Sequence, residues 1–188
     1  ATDTVQIPSG ATPQPALDQV RSVFTLVVDA GASLGMSGYT LSIGGGLSNL
    51  GTIAHGGGLL VVNGPGAQSI NLGSSGLASM QVNKSGGTAT IGGTLTSSGD
   101  LAISGGTLAL GGGTHAIGGN VTLTAGSLQT GSSISTIVGN LSLTGASIVL
   151  VSQDAARLSA DDLSVGVGAT LSFGTQSGQL TVGGVFSN

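Results

Sequence analysis

The sequence predicts an all-β fold, a right-handed parallel β-helix of about 7–8 coils with a repeat near twenty residues and three short strands per coil. Three observations lead there. A short phrase recurs: Asp100-Leu101-Ala102-Ile103-Ser104, Asn120-Val121-Thr122-Leu123-Thr124, Asn140-Leu141-Ser142-Leu143-Thr144 and Asp162-Leu163-Ser164-Val165. Within each phrase apolar residues alternate with small polar ones, which is the period of a strand with one buried face. Glycine, at 37 of 188 residues, separates these runs, while only 5% of residues are charged and 2% aromatic. A chain with an ordinary apolar fraction and so few charges is neither disordered nor, with four prolines, collagen-like.

Taken in order along the chain, the first 22 residues stand apart. Pro8, Pro13 and Pro15 interrupt them, and residues 15–21 read as a short helical turn, so residues 1–22 are expected to form an N-terminal extension or cap, with an intermolecular role as one option. Residues 23–188 form the solenoid. Leu41-Ser42-Ile43, Leu60-Val61-Val62 and Met80-Gln81-Val82 keep approximate step in a stretch where the register is blurred before Thr90. The register then becomes clean. Leu108, Leu128, Ile148 and Leu171 fall in one column, Leu101, Val121, Leu141 and Leu163 in a second, and Ile117 and Ile137 in a third, which implies three faces. Gly105-Gly106 and Gly118-Gly119 supply the corners between them. A polar column, Asp100, Asn120, Asn140 and Asp162, precedes the second apolar column, and stacked Asn side chains are expected to hydrogen-bond along it. Left-handed β-helices use hexapeptide repeats, about eighteen residues per coil, a period not seen here.

The net charge of -4 leaves no basic footprint for nucleic acid, since Arg21, Lys84 and Arg157 are the only permanent cations. No apolar run approaches the roughly 18–20 residues of a membrane-spanning helix. Zero cysteines exclude disulfides and thiol chemistry. The start at Ala1 carries no basic and apolar leader, so export is an inference.

Phrases such as Gly-Gly-Thr-Leu-Ala-Leu, Ile-Gly-Gly-Asn-Val-Thr-Leu and Val-Gly-Asn-Leu-Ser-Leu resemble the coils of large bacterial surface proteins, namely autotransporter passengers and filamentous haemagglutinins. The resemblance spans residues 24–188 and is one of repeat pattern and composition. It implies export from a bacterium to the extracellular space or cell surface, and adhesion or scaffolding, and it brings no site residues.

Candidate chemistry is sparse. His55 and His115 lie about three coils apart and are expected to face outward as ordinary polar residues, since a zinc site needs three or four convergent ligands. Asp154, Arg157, Asp161 and Asp162 form the one charge cluster, read as a loop off the coil. A weak calcium site at Asp161 and Asp162 competes there with a solvated bend. Polysaccharide-cleaving β-helices need several carboxylates on one face, which this chain does not gather, so neither an enzyme nor a cofactor is expected. Thr pairs such as Thr88-Thr90, Thr94-Thr96 and Thr122-Thr124 suggest an ice-binding array, but Ala102-Ser104 and Ser142-Thr144 stand in register and break it. Gly44-Gly45-Gly46, Gly56-Gly57-Gly58 and Gly111-Gly112-Gly113 lack the Lys-Ser/Thr ending of a nucleotide loop and read as corners.

Solenoids usually cap both ends, and the C-terminal phrase Gln179-Leu180-Thr181-Val182-Gly183-Gly184-Val185-Phe186 repeats the coil without a cap. Two expectations follow. Either the chain is a piece of a longer adhesin stalk that binds glycans or other cells, or its partner is a second copy, stacked head to tail into a fibre through Val5, Ile7, Leu180, Val182, Val185 and Phe186.

Overall fold

A computed structural model describes residues 3–145, 147–149, 156–173 and 177–188. The fold is a parallel β-solenoid of about nine turns. Every strand pair is parallel among the described residues, and no helix occurs there. Parallel pairing with a coil-length offset follows from the repeat, because each inward aliphatic residue meets its equivalent one coil on and the two bury each other.

The three faces are now assigned. The first carries residues 21–23, 41–43, Leu59–Asn63, 79–83, 101–103, Val121–Leu123, Leu141–Leu143, Leu163–Val165 and Phe186–Ser187. The second begins with Thr4–Ile7 and ends with Thr170–Ser172. The third runs from Ser33–Gly35 to Gln179–Val182. The expected columns are in register: Leu101↔Val121↔Leu141↔Leu163, Leu108↔Leu128↔Ile148↔Leu171, and Ile117↔Ile137.

Two sequence expectations need adjusting. The turns number about nine against the 7–8 expected, since the coils before Thr90 are as well in step as the later ones, with Leu41, Leu60, Met80 and Leu101 successive partners, and part-coils stand at both ends. The first and second faces also merge in several coils. Arg21–Val28, Leu41–Asn49, Ser79–Gly92 and Leu101–Leu110 are single strands that bend through register shifts, for example between Ile103, Gly105 and Thr107. Glycine permits that bend. Gly106 has φ of 71°, and a Cβ there would lie 2.6 Å from the Lys84 Cβ of the coil below.

The core is one continuous aliphatic stack, from Ile7 and Leu26 through Ile43, Val62, Val82 and Ile103 to Leu143 and Leu163. Each such side chain contributes on the order of 1.5–3 kcal/mol by leaving water.

Residues 15–21 form no helical turn: Pro15 to Leu17 run along a strand edge and Asp18 and Gln19 make a bend. Leu17 N–H donates to the Gly35 carbonyl and Gly35 N–H to the Pro15 carbonyl, making Ala16 a parallel bridge partner of Gly35. The physical reason is competition: the exposed edge of Ser33–Gly35 offers partners at once, whereas an isolated helix of two turns has a costly nucleus.

Candidate functional site: the two end coils and the polar groups between coils

The six residues expected at an assembly interface fall at opposite ends. At the N-terminal end, Thr4–Ile7 lies on the second face, paired with Thr25 to Val28. Val5 is exposed and Ile7 is buried in the chain's own core. Residues 8–20 then cross the third face. Pro8, Pro13 and Pro15 fall in this stretch, and the Pro15 carbonyl accepts from Gly35 N–H of the chain's own third-face strand.

Among the described residues, nothing pairs with the outer edge of residues 21–23, since Thr4–Ile7 covers only the stretch after them. An apolar pocket of about 500 Å3 opens beside that edge, lined among others by Val5, Ile7, Pro13, Leu17, Val23 and Leu34.

At the C-terminal end, Thr170–Ser172, Gln179–Val182 and Phe186–Ser187 are the outermost strands of their faces. None contains a Pro or Lys to discourage pairing. Leu180 and Val182 are only partly buried, although their partners Leu158 and Ala160 are buried. The contrast is sharpest on the first face, where Leu163 is 1% exposed and Phe186, next in the same column, 59%. Val185 is 65% exposed.

The polar column is real, with a different bond from the one expected. Asp100 Oδ1 accepts from the Asn120 backbone N–H at 2.7 Å, Asn120 Oδ1 from Asn140 N–H at 2.9 Å, and Asp162 Oδ1 from Val185 N–H at 2.7 Å. These side chains reach the backbone of the next coil. The preceding glycine makes room. A Cβ at Gly139 would lie 2.5 Å from Asn120 Oδ1, and one at Gly119 or Gly184 would overlap the Oδ1 of Asp100 or Asp162. The Gly-Asn/Asp dipeptide of the repeat is thus one device, an oxygen and the space that the previous coil's oxygen occupies.

Of the charge cluster, Asp154 lies outside the described residues. Arg157 opens a third-face strand, Arg157–Ala160, so this part of the cluster is coil and not a loop off it. Asp162 is engaged with Val185, and no group of three or more metal-ligating side chains occurs among the described residues. Gly44 to Gly46 lie inside a bending strand, and the triplets at 56–58 and 111–113 lie in turns between strands, as corners should.

His115 corrects the outward placement expected for it. The ring is fully buried, its Nδ1 accepting from Leu95 N–H at 3.0 Å and its Nε2–H facing the Gly111 carbonyl at 3.3 Å. Burial holds its pKa below the ordinary imidazole value, opposed by the bond to Gly111. It therefore serves as a neutral connector of coils, both nitrogens used. Its neighbours in register alternate side chains toward the core, and a histidine at an inward position had to find backbone partners. His55 is part-exposed, and its Nδ1 accepts from Gly57 N–H.

Two further groups carry no repeating signal. Lys84 is 4% exposed, and its Nζ donates to the carbonyls of Gly64 at 3.0 Å and Gly66 at 2.9 Å and to Gln68 Oε1. Three acceptors match the three donors of an ammonium group, although burial lowers its pKa. Gln68, also buried, donates through Nε2 to the Ile43 carbonyl. Asn49 is buried too, donating to the Leu72 carbonyl and Ser75 Oγ and accepting from Gly51 N–H.

No protein-family model, no curated protein and no solved structure matches the chain.

Proposed function

We propose that the protein is a non-enzymatic structural subunit of the bacterial cell surface or extracellular matrix, whose copies stack head to tail into a fibre. The observation that carries this reading is the C-terminal face: three unblunted edge strands on which Leu180 and Val182 are only partly buried and Phe186 is exposed, while their partners Leu158, Ala160 and Leu163 beneath are buried. Such an edge is a template for further parallel strands, and a heterologous contact that does not close builds filaments. The polar groups that elsewhere would suggest chemistry are engaged in joining coils, as His115, Lys84 and Asp162 illustrate.

A second reading keeps the same observation. Because Phe186 continues the Leu163 column in step, the face would equally accept further coils of one longer chain, as in the stalk of an adhesin passenger that presents a glycan- or cell-binding region elsewhere.

Negative-stain electron microscopy and sedimentation of the 188-residue chain over a range of concentrations separate the two. Regular filaments growing with concentration support assembly. Particles that stay monomeric at the highest concentration refute it and leave the stalk.

A further inference from the structure

Three departures from the repeat meet at one corner of the rod: an aromatic ring, a run of glycine and a buried lysine. On the first face Val23, Ile43 and Val62 are successive partners, so the residues after them, Phe24, Gly44 and Asn63, stand in line where the chain turns toward the second face. The middle member has no side chain. A Cβ placed on Gly44 would touch Phe24 Cδ2 at 3.5 Å on one side and lie 3.8 Å from Asn63 Oδ1 on the other. Each is about one van der Waals contact, so ring and carboxamide wall a slot a single atomic layer wide. The slot opens on the flank of the rod across three successive coils, has a volume of about 210 Å3, and is lined also by Ser22 and Pro65.

Each departure serves the slot. The Phe24 ring lies along Gly45, where a Cβ would come within 2.7 Å of it, so glycine there lets the aromatic side chain rest on the backbone of the next coil. Pro65 is held from inside the rod: the buried Lys84 ammonium donates to the carbonyls on both sides of it, Gly64 at 3.0 Å and Gly66 at 2.9 Å. Walls fixed before a ligand arrives lose little freedom when it binds.

The lining selects the chemistry. Each wall pairs an apolar surface with a hydrogen-bonding group, Phe24 with the Ser22 hydroxyl and Pro65 with the Asn63 carboxamide, and no charged residue lines the slot. Neither of these polar side chains has a hydrogen-bond partner among the described residues. The volume is below the roughly 300–1,000 Å3 of sites for drug-sized ligands, and matches one ring. A fitting ligand is neutral, apolar on its faces and hydroxylated on its edge.

We infer that the slot binds a neutral sugar, one pyranose ring lodged between Phe24 and Asn63, its C–H face toward the aromatic ring and its hydroxyls bonded to Asn63 and Ser22. Neither reading above places a ligand on the rod itself, and this site requires neither stacking nor attachment to a longer stalk.

Saturation-transfer NMR tests it, because the signal is read on the ligand and is indifferent to whether the protein is a rod or a fibre. The probes are methyl glucoside, methyl galactoside and methyl mannoside, with an uncharged Gly-Pro peptide as the competing class. At least one glycoside should receive magnetisation, with a Kd on the order of millimolar for so few contacts. Gly44→Ala should abolish the transfer. Its methyl group fills the slot, meets its neighbours only at ordinary contact distances and sits at a glycine without positive φ, so the unfolding midpoint should not fall. Phe24→Ala should weaken binding roughly fivefold. Transfer that survives Gly44→Ala, transfer to the peptide and to none of the glycosides, or no transfer at all overturns the sugar site and leaves both structural readings standing.

Discussion

The two halves of the solenoid join their coils by different polar means. Up to about residue 92 each connection occurs once and, apart from the exposed pair Gln6 and Asp29, the main ones are buried or part-buried: Asn49 to Leu72 and Ser75, Gln68 to Ile43, Lys84 to Gly64, Gly66 and Gln68. From residue 99 onward one kind of exposed connection recurs, with Asp100, Asn120 and Asp162 each accepting from the backbone of the next turn. A buried connection is worth most when it is removed, because its partners are stranded away from water. A solvated one loses only its small net gain.

The largest effect should therefore come from Lys84→Ala. It strands the buried Gln68 Oε1, leaves the part-buried carbonyls of Gly64 and Gly66 without this donor and relieves one buried charge, for a net loss of about 2–4 kcal/mol in urea unfolding. If instead the loss matched that of Asn120→Ala, expected at about 0.5–1 kcal/mol, the distinction between the halves would disappear.

Next comes the space beside the ladder. Gly139→Ala places a methyl group against Asn120 Oδ1 and the Gly119 carbonyl, and should cost about 1–3 kcal/mol. In a double-mutant cycle with Asn120→Ala the two losses should sum to more than the double variant shows, since the second change removes part of the clash. Strict additivity would detach the glycine from the ladder.

The smallest effect concerns His115, a buried connection within the second half. Its folded pKa is depressed, so the native state binds fewer protons than the unfolded chain as pH falls below about 6.5, and stability must decline in that window. The slope is bounded by about 1.4 kcal/mol per pH unit, levelling off below the folded pKa. Unfolding followed between pH 8 and pH 4 should show it, and His115→Gln should flatten that contribution; an unchanged profile would remove His115 as its source.

The same contrast decides what could be read from the residues alone. Repetition was legible. The Leu101 and Leu108 columns, the corners and the position of the polar column all follow from a period, because identical neighbours above and below impose the same choice in every coil. Single events were not. Lys84 reads as any surface lysine until Gln68, sixteen residues back, closes around it, and His115 reads as polar until its inward position is known. The helical turn at residues 15–21 failed for a related reason, since local preference was outweighed by an unpaired strand edge that only the folded rod presents. At the candidate site, Leu180, Val182, Val185 and Phe186 could be seen as an uncapped phrase, whereas the outer edge of residues 21–23, unpaired among the described residues, required the register of the N-terminal strands.

The direction of the backbone hydrogen bonds has a mechanical consequence. All of them between coils run along the rod, so tension applied to the two ends of the chain loads them a row at a time, as in a zipper, and not together, as in shear. Stretched lengthwise, the molecule should pay out coil by coil, each of about twenty residues releasing roughly 65 Å of contour length at low force. A rod that resists bending would thus be extensible under pull, yielding in even steps and rewinding on the coil left behind.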